Sequence, residues 1–88
     1  MIYWTDKLVS ERYPNQLSWS TALGNSTILS SNTEVISGNV FVTDTHTNNS
    51  QTVWLEGGEP GRIILSCSVS TADNRVLSTT VTFSNLQG

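Results

Sequence analysis

Two long alternating runs, turn signals recurring every eight to twelve residues, and a composition low in charge but rich in threonine, serine and valine predict an all-β fold. The runs meet within the stretch TVWLEGGEPGRIILSCSV, residues 52–69. In the first, Val53 and Leu55 share one face, with Thr52, Trp54 and Glu56 on the other. In the second, Ile63, Leu65, Cys67 and Val69 share a face, with Arg62, Ser66, Ser68 and Ser70 opposite. A period of two is what a strand with one buried face requires. Between the runs, Gly57, Gly58 and Gly61 can adopt positive φ, and Pro60 cannot sit inside a central ladder. The segment reads as a structural turn joining the central strand pair of the domain.

The other elements follow in chain order. Residues 1–14 differ from the rest and hold Tyr3, Trp4 and Tyr13. Trp4 and Leu8 have helical spacing, and Thr5 or Asp6 suits the cap of a single helical turn. An extended arm laid on a sheet edge is equally consistent. Pro14 is expected to end either form and to hold Tyr13 extended. Leu17, Trp19 and Thr21 alternate, which predicts a first core strand anchored by Trp19, closed by a turn at Leu23-Gly24-Asn25. Residues 26–37 read as one strand, with Ser31-Asn32 as a bulge or switch. Gly38-Asn39 signals a turn and residues 40–43 a short strand, while the wholly polar residues 44–50 are expected to be a loop. Residues 71–75 form a hairpin turn in which Asp73-Asn74 tolerates left-handed φ. The last strand points Leu77, Thr79, Val81 and Phe83 inward.

About seven short strands spaced in this way predict an immunoglobulin-like antiparallel β-sandwich. Cys67 is the sole cysteine, so the sandwich has no internal disulfide and apolar packing must hold its sheets together. The expected core is Trp19, Leu65, Cys67, Val69, Val81 and Phe83. The domain reading is a sandwich over residues 15–88, preceded by an arm or short helical turn over residues 1–14.

A chain of 88 residues is one small domain with a limited core. The net charge is −3, and only Lys7, Arg12, Arg62 and Arg75 are basic. Four scattered cations cannot neutralise a phosphate track, which excludes nucleic acid as the expected partner. No apolar run approaches the roughly 18 residues of a membrane span. The start MIYWTDKLVSERY lacks the basic and apolar regions of a signal peptide, so synthesis in a cytoplasm is expected. In that setting the sequons at Asn25 and Asn48 are read as chance matches in an Asn/Ser/Thr-rich chain.

Catalytic and cofactor chemistry is not indicated. His46 is the sole histidine, and a metal site needs about three protein ligands, of which only Asp44 lies near it in sequence. The serines accompany no nucleophile elbow. Glu56 and Glu59 flank the glycines on an exposed turn, without the apolar pocket that raises a carboxyl pKa. The glycines lack the GxxxxGK[ST] pattern of a phosphate loop. Cys67, alternating into the core, reads as a small buried hydrophobe rather than a reactive thiol. The expectation is therefore no enzyme, no cofactor and no metal.

One resemblance goes further. Leu17-Ser18-Trp19-Ser20 with Leu23-Gly24, then Ile28 with Ser30-Ser31, then Val53-Trp54-Leu55-Glu56-Gly57-Gly58 with Gly61, resembles small tailed-bacteriophage proteins of the fiber-tail adaptor type. So does Leu65-Ser66-Cys67-Ser68-Val69-Ser70-Thr71 with Asp73 and Arg75. The likeness covers residues 15–83; Asn74 stands where a glycine is usual, and Asn32-Thr33 where a tryptophan is expected. It implies an immunoglobulin-like module of the virion that is made in the bacterial cytoplasm, does no catalysis, and contacts other phage structural proteins and its own copies. Trp4, Tyr13 and Trp54 are the candidate interface residues, as large aromatics dominate contact energies. Covering an end of the core is the alternative role for Trp4, and lying beneath the arm that for Trp54. A free carbohydrate- or receptor-binding sandwich, using Trp54 with Asp44, His46 and Asn48, is the alternative function.

Overall fold

A computed structural model describes residues 1–87 of the chain. The strands are β1 (Ile2–Tyr3), β2 (Lys7–Leu8), β3 (Arg12–Ser18), β4 (Ile28–Ser37), β5 (Phe41–His46), β6 (Ser50–Glu56), β7 (Gly61–Thr71) and β8 (Val76–Leu86), with one helical turn, α1 (Ser20–Leu23). They form two sheets packed face to face. One has the order β1-β8-β7-β4, with β2 also on β8; the other has the order β3-β6-β5. If β1 and β2 are taken as one interrupted strand, the count is seven, and the pairing is that of an immunoglobulin-like sandwich.

The central strands therefore do not pair with each other. β6 lies between β3 and β5, and β7 between β4 and β8, in opposite sheets. The Gly-Gly-Glu-Pro-Gly segment is a crossover between sheets rather than a hairpin. Alternation reports that one face is buried, and it is silent on which strand lies alongside. Gly57 (φ 61°), Gly58 (φ 89°) and Gly61 (φ 139°) all use the conformations that L side chains avoid, which lets the chain leave one sheet and enter the other.

The core lies between the sheets. Leu65, Cys67 and Val81 are fully buried, as are Ile63, Val53 and Leu55, and Val69 and Phe83 nearly so. Trp19 is buried at the sandwich end, but not on a strand. β3 stops at Ser18, and Trp19 begins α1, whose Leu23 amide donates to the Trp19 carbonyl at 2.8 Å. Trp19 and Leu23 are spaced four apart and both buried, a helical interval that the alternation of Leu17 and Trp19 conceals.

Three local expectations are corrected. β3 runs straight through Pro14, so the boundary drawn at residue 14 falls inside a strand. Proline is accepted because β3 is an edge strand, and only one side of its backbone needs donors. The irregularities of β4 lie between Ile28 and Ser30 and between Val35 and Ser37, not at Ser31-Asn32. Asp44 and His46 belong to β5, which leaves only residues 47–49 as loop. Thr43 and Thr45 are β-branched, and Val42 alternates with Asp44, so the strand signal was present despite the polarity.

Asp44 faces inward. Its carboxylate accepts from Ser31 Oγ at 2.8 Å, Thr33 Oγ1 at 3.0 Å and Gln51 Nε2 at 3.0 Å. Gln51 is fully buried, and its Oε1 accepts from Trp19 Nε1 at 3.1 Å. This network ties β4 to β5 across the sandwich and anchors the tryptophan. Gln51→Leu removes both roles of the amide and leaves the indole N–H and one carboxylate lone pair unpartnered. A loss of about 2–3 kcal/mol is expected in denaturant unfolding, while an unchanged midpoint would show that the amide contributes nothing.

Cys67 lies in the same interior. Burial pushes its thiol up from 9 to about 11. The unfolded chain therefore loses this proton first. The contribution to stability is complete below pH 9 and is lost as the pH rises through about 11, by roughly 2–3 kcal/mol in all. Lys7, which burial shifts below its ordinary value, acts with the opposite sign at alkaline pH. Comparing the alkaline stability slope of the native sequence with that of Cys67→Ala isolates the thiol. A steeper decline is expected with the cysteine present, and equal slopes would exclude the effect.

Candidate functional site

In paired strands, residues directly opposite share a face, so register identifies what the β3-β6-β5 sheet shows to solvent. Arg12, Glu56 and Phe41 align, as do Pro14, Trp54 and Thr43. Their neighbours Tyr13, Leu55 and Val42 align on the opposite, core-facing side. The outer face thus collects Arg12, Pro14, Phe41 and Trp54 around one central strand.

Trp54 is half-buried, with the Arg12 guanidinium stacked 4.1 Å from its ring centroid. Arg12 Nε also reaches Glu56 Oε2 at 3.5 Å. Both partners of that ion pair are more than half exposed, so it contributes little to stability and serves chiefly to orient the guanidinium. Phe41 is 70% exposed, an unusual state for a phenylalanine, and its ring lies 3.3 Å from where a Gly57 side chain would begin. A flat sheet surface bearing Trp, Phe, Pro and a stacked Arg is rich in the residue types that carry binding energy between proteins.

The other candidate interface residues lie elsewhere. Trp4 is half-buried and packs against the core, with its amide donating to the Thr82 carbonyl at 3.0 Å. Tyr13 is half-buried on the sheet face opposite Trp54. Arg12 and Phe41 join the site without having been singled out in the sequence. Counting back from Glu56 along the alternation would not find them, because cross-strand register is a tertiary fact.

The proposed sugar-binding set is not assembled. Asp44 points into the sandwich and is consumed by the Gln51 network, on the opposite side of the sheet from Trp54. Among the described residues, no group of three or more His, Cys, Asp or Glu side chains is placed to hold a metal. No helix among them is long and apolar enough to cross a membrane.

Two further clusters are structural. Lys7 is buried, and its Nζ donates to the carbonyls of Leu8 at 2.9 Å, Glu11 at 3.3 Å and Gly57 at 3.2 Å. Asn85 Nδ2 donates to the carbonyls of Gly57 at 2.9 Å and Glu59 at 3.0 Å, so both side chains pin the crossover to the N-terminal segment and β8. At the opposite end Arg75 donates to the Ala22 and Leu23 carbonyls at 3.0 Å, closing the end of α1, while its Nε holds Asp73. Asp73 also accepts from Ser26 and from Thr71, and the Thr71 bond leads in holding its carboxyl below the usual range. Asn74 adopts φ 66° in this turn, the left-handed state that glycine would take freely.

Comparison with known proteins agrees with this architecture. The model of the family described as "Podophage GP4 fiber-tail adaptor protein gp77" matches residues 7–84, from the buried Lys7 almost to the end of β8. The solution structure of the PKD domain from KIAA 1837 protein superposes with a TM-score of 0.59 at 17% identity. The alignment covers 94% of this chain and 79% of that one, a likeness of fold alone. No curated protein matches the chain.

Proposed function

Since the chain belongs to the podophage GP4 fiber-tail adaptor family, a family of phage tail structural proteins, we propose that it is a non-catalytic module of the virion joining tail and fiber components through protein–protein contact. The Trp54 face makes that contact. Exposure of Phe41 beside a tryptophan pre-ordered by Arg12 is the observation that carries the reading. A rigid aromatic anchor loses little conformational freedom on docking, so its burial goes chiefly into affinity. The protein is made in the host cytoplasm and ends in the particle, against other structural proteins and its own copies.

Quantitative mass spectrometry of purified particles tests the assignment. A fixed number of copies per particle supports it, and absence from particles despite presence in the lysate overturns it. Trp54→Ala tests the face. Incorporation should fall by about thirtyfold or more, as expected for a hot spot worth about 2 kcal/mol, while the isolated domain loses no more than about 1–2 kcal/mol of stability. Incorporation at the native level would remove Trp54 from the interface.

A further inference from the structure

The sandwich has two open sides, and they are treated differently. On one, Ser31 and Thr33 of β4 clasp Asp44 of β5. On the other, β3 and β8 are the facing sheet edges, and only the short β1 and β2 cover β8, pairing with it at Val81, Thr82, Asn85 and Leu86. Among the described residues no strand pairs with residues 76–80 on that side. The Trp4 amide bonds the Thr82 carbonyl, so the even-numbered positions of β8 direct their backbone groups outward. Ser78 and Thr80 share that phase, leaving their N–H groups toward the open side.

Exposed edges invite unwanted pairing, and proteins usually guard them with charge, proline or bulges. The β3 edge carries Arg12 and Pro14 and the β4 edge Glu34 and two register shifts, while β5 is tied to β4 through Asp44. Residues 76–80, Val-Leu-Ser-Thr-Thr, have no such guard. Beside them runs an open groove of about 420 Å³, lined by Ile2, Leu17, Trp19, Ala22 and Thr79 among others, with no charged side chain in its lining.

We propose that this edge and groove accept an extended, uncharged segment of another virion protein, added to β8 as a further strand. The proposal rests on the adaptor reading above. Unpaired backbone groups in register call for a strand rather than a helix, and alternate side chains of that strand would enter the groove. A charged side chain there would give up part of its water against a lining that has no charged side chain of its own, which sets the chemistry of the occupant. The bare stretch sets its length at about five residues.

Amide exchange of the full-length chain, followed by NMR, tests this with two capped peptides. One is acetyl-Thr-Val-Ser-Val-Thr-Val-amide, and the other has glutamate in place of each valine. The neutral peptide should slow exchange at Ser78 and Thr80 by about tenfold or more, and the acidic one should not. Ala22→Glu, at an exposed position in the groove wall, should abolish the slowing while leaving the remaining amides unchanged. No slowing with the neutral peptide, or equal slowing with both, overturns the proposal. So does protection that appears without peptide as protein concentration rises, since that assigns the edge to a second copy. Trp54→Ala should retain peptide binding. A particle phenotype for Trp54→Ala without any peptide effect would leave the adaptor reading standing and remove only the strand site.

Discussion

Replacing Leu65 with alanine is expected to lower stability by about 3–5 kcal/mol. Leu65 is fully exposure-free at the middle of β7, which itself is the middle of its sheet. It pairs with Val81 on one side and Val35 on the other, so strands flank the void and resist collapse into it. Both the lost transfer energy and the residual cavity therefore count. For a domain of this size the melting temperature should fall by roughly 15–25 °C, read by circular dichroism. Leu29→Ala is the control: Leu29 is 63% exposed at the β4 irregularity, and its loss should change stability by less than about 1 kcal/mol. Equal effects of the two substitutions would mean that the sheets do not pack as described.

Gly58→Ala is expected to lower stability by about 3 kcal/mol or more. Two causes combine. The residue sits at φ 89°, where a Cβ is strained whatever its surroundings. The added methyl would also overlap the Asn39 carbonyl oxygen and stand 2.8 Å from Val40 Cα, and backbone cannot step aside as a side chain can. The glycine exists because the crossover packs directly on the β4–β5 turn, where the Glu59 amide donates to the same Asn39 carbonyl at 3.1 Å. Gly24→Ala separates the two causes. Gly24 has φ 62° and ψ −115° but nothing within 4 Å, so only the conformational penalty of about 1–3 kcal/mol applies. Chemical denaturation of both variants decides the point, and equal losses would refute the close approach.

Legibility varied with the kind of information each residue carried. Val53, Leu55, Ile63, Cys67 and Phe83 were placed by alternation, because burial of one strand face is written in the chain itself. Gln51, Val53 and Leu55 share a parity, and the polar side chain goes inward with its apolar neighbours, a placement that polarity conceals and periodicity carries. Asp44 lies in a polar stretch whose composition suggests a loop, while its alternation with Val42 marks the strand. Lys7 gave no local signal at all. It is buried only because the Leu8, Glu11 and Gly57 carbonyls converge on it from two distant segments. At the candidate face, Trp54 was legible as an outward aromatic, whereas its partners Arg12 and Phe41 come from strands on either side.

By itself, then, the sequence determined the all-β class, the inward set of each long strand and the glycine-dependent turn, since these follow from steric preferences and one-dimensional patterning. It determined the family as well, through spacings that structural roles impose. The tertiary structure decided that β6 and β7 belong to opposite sheets, that Trp19 opens a helical turn, and that β8 keeps a bare edge beside a groove. Those outcomes depend on which strands find one another. That choice is settled by the summed burial of whole faces and by side-chain bonds between segments far apart in the chain, which no local pattern records.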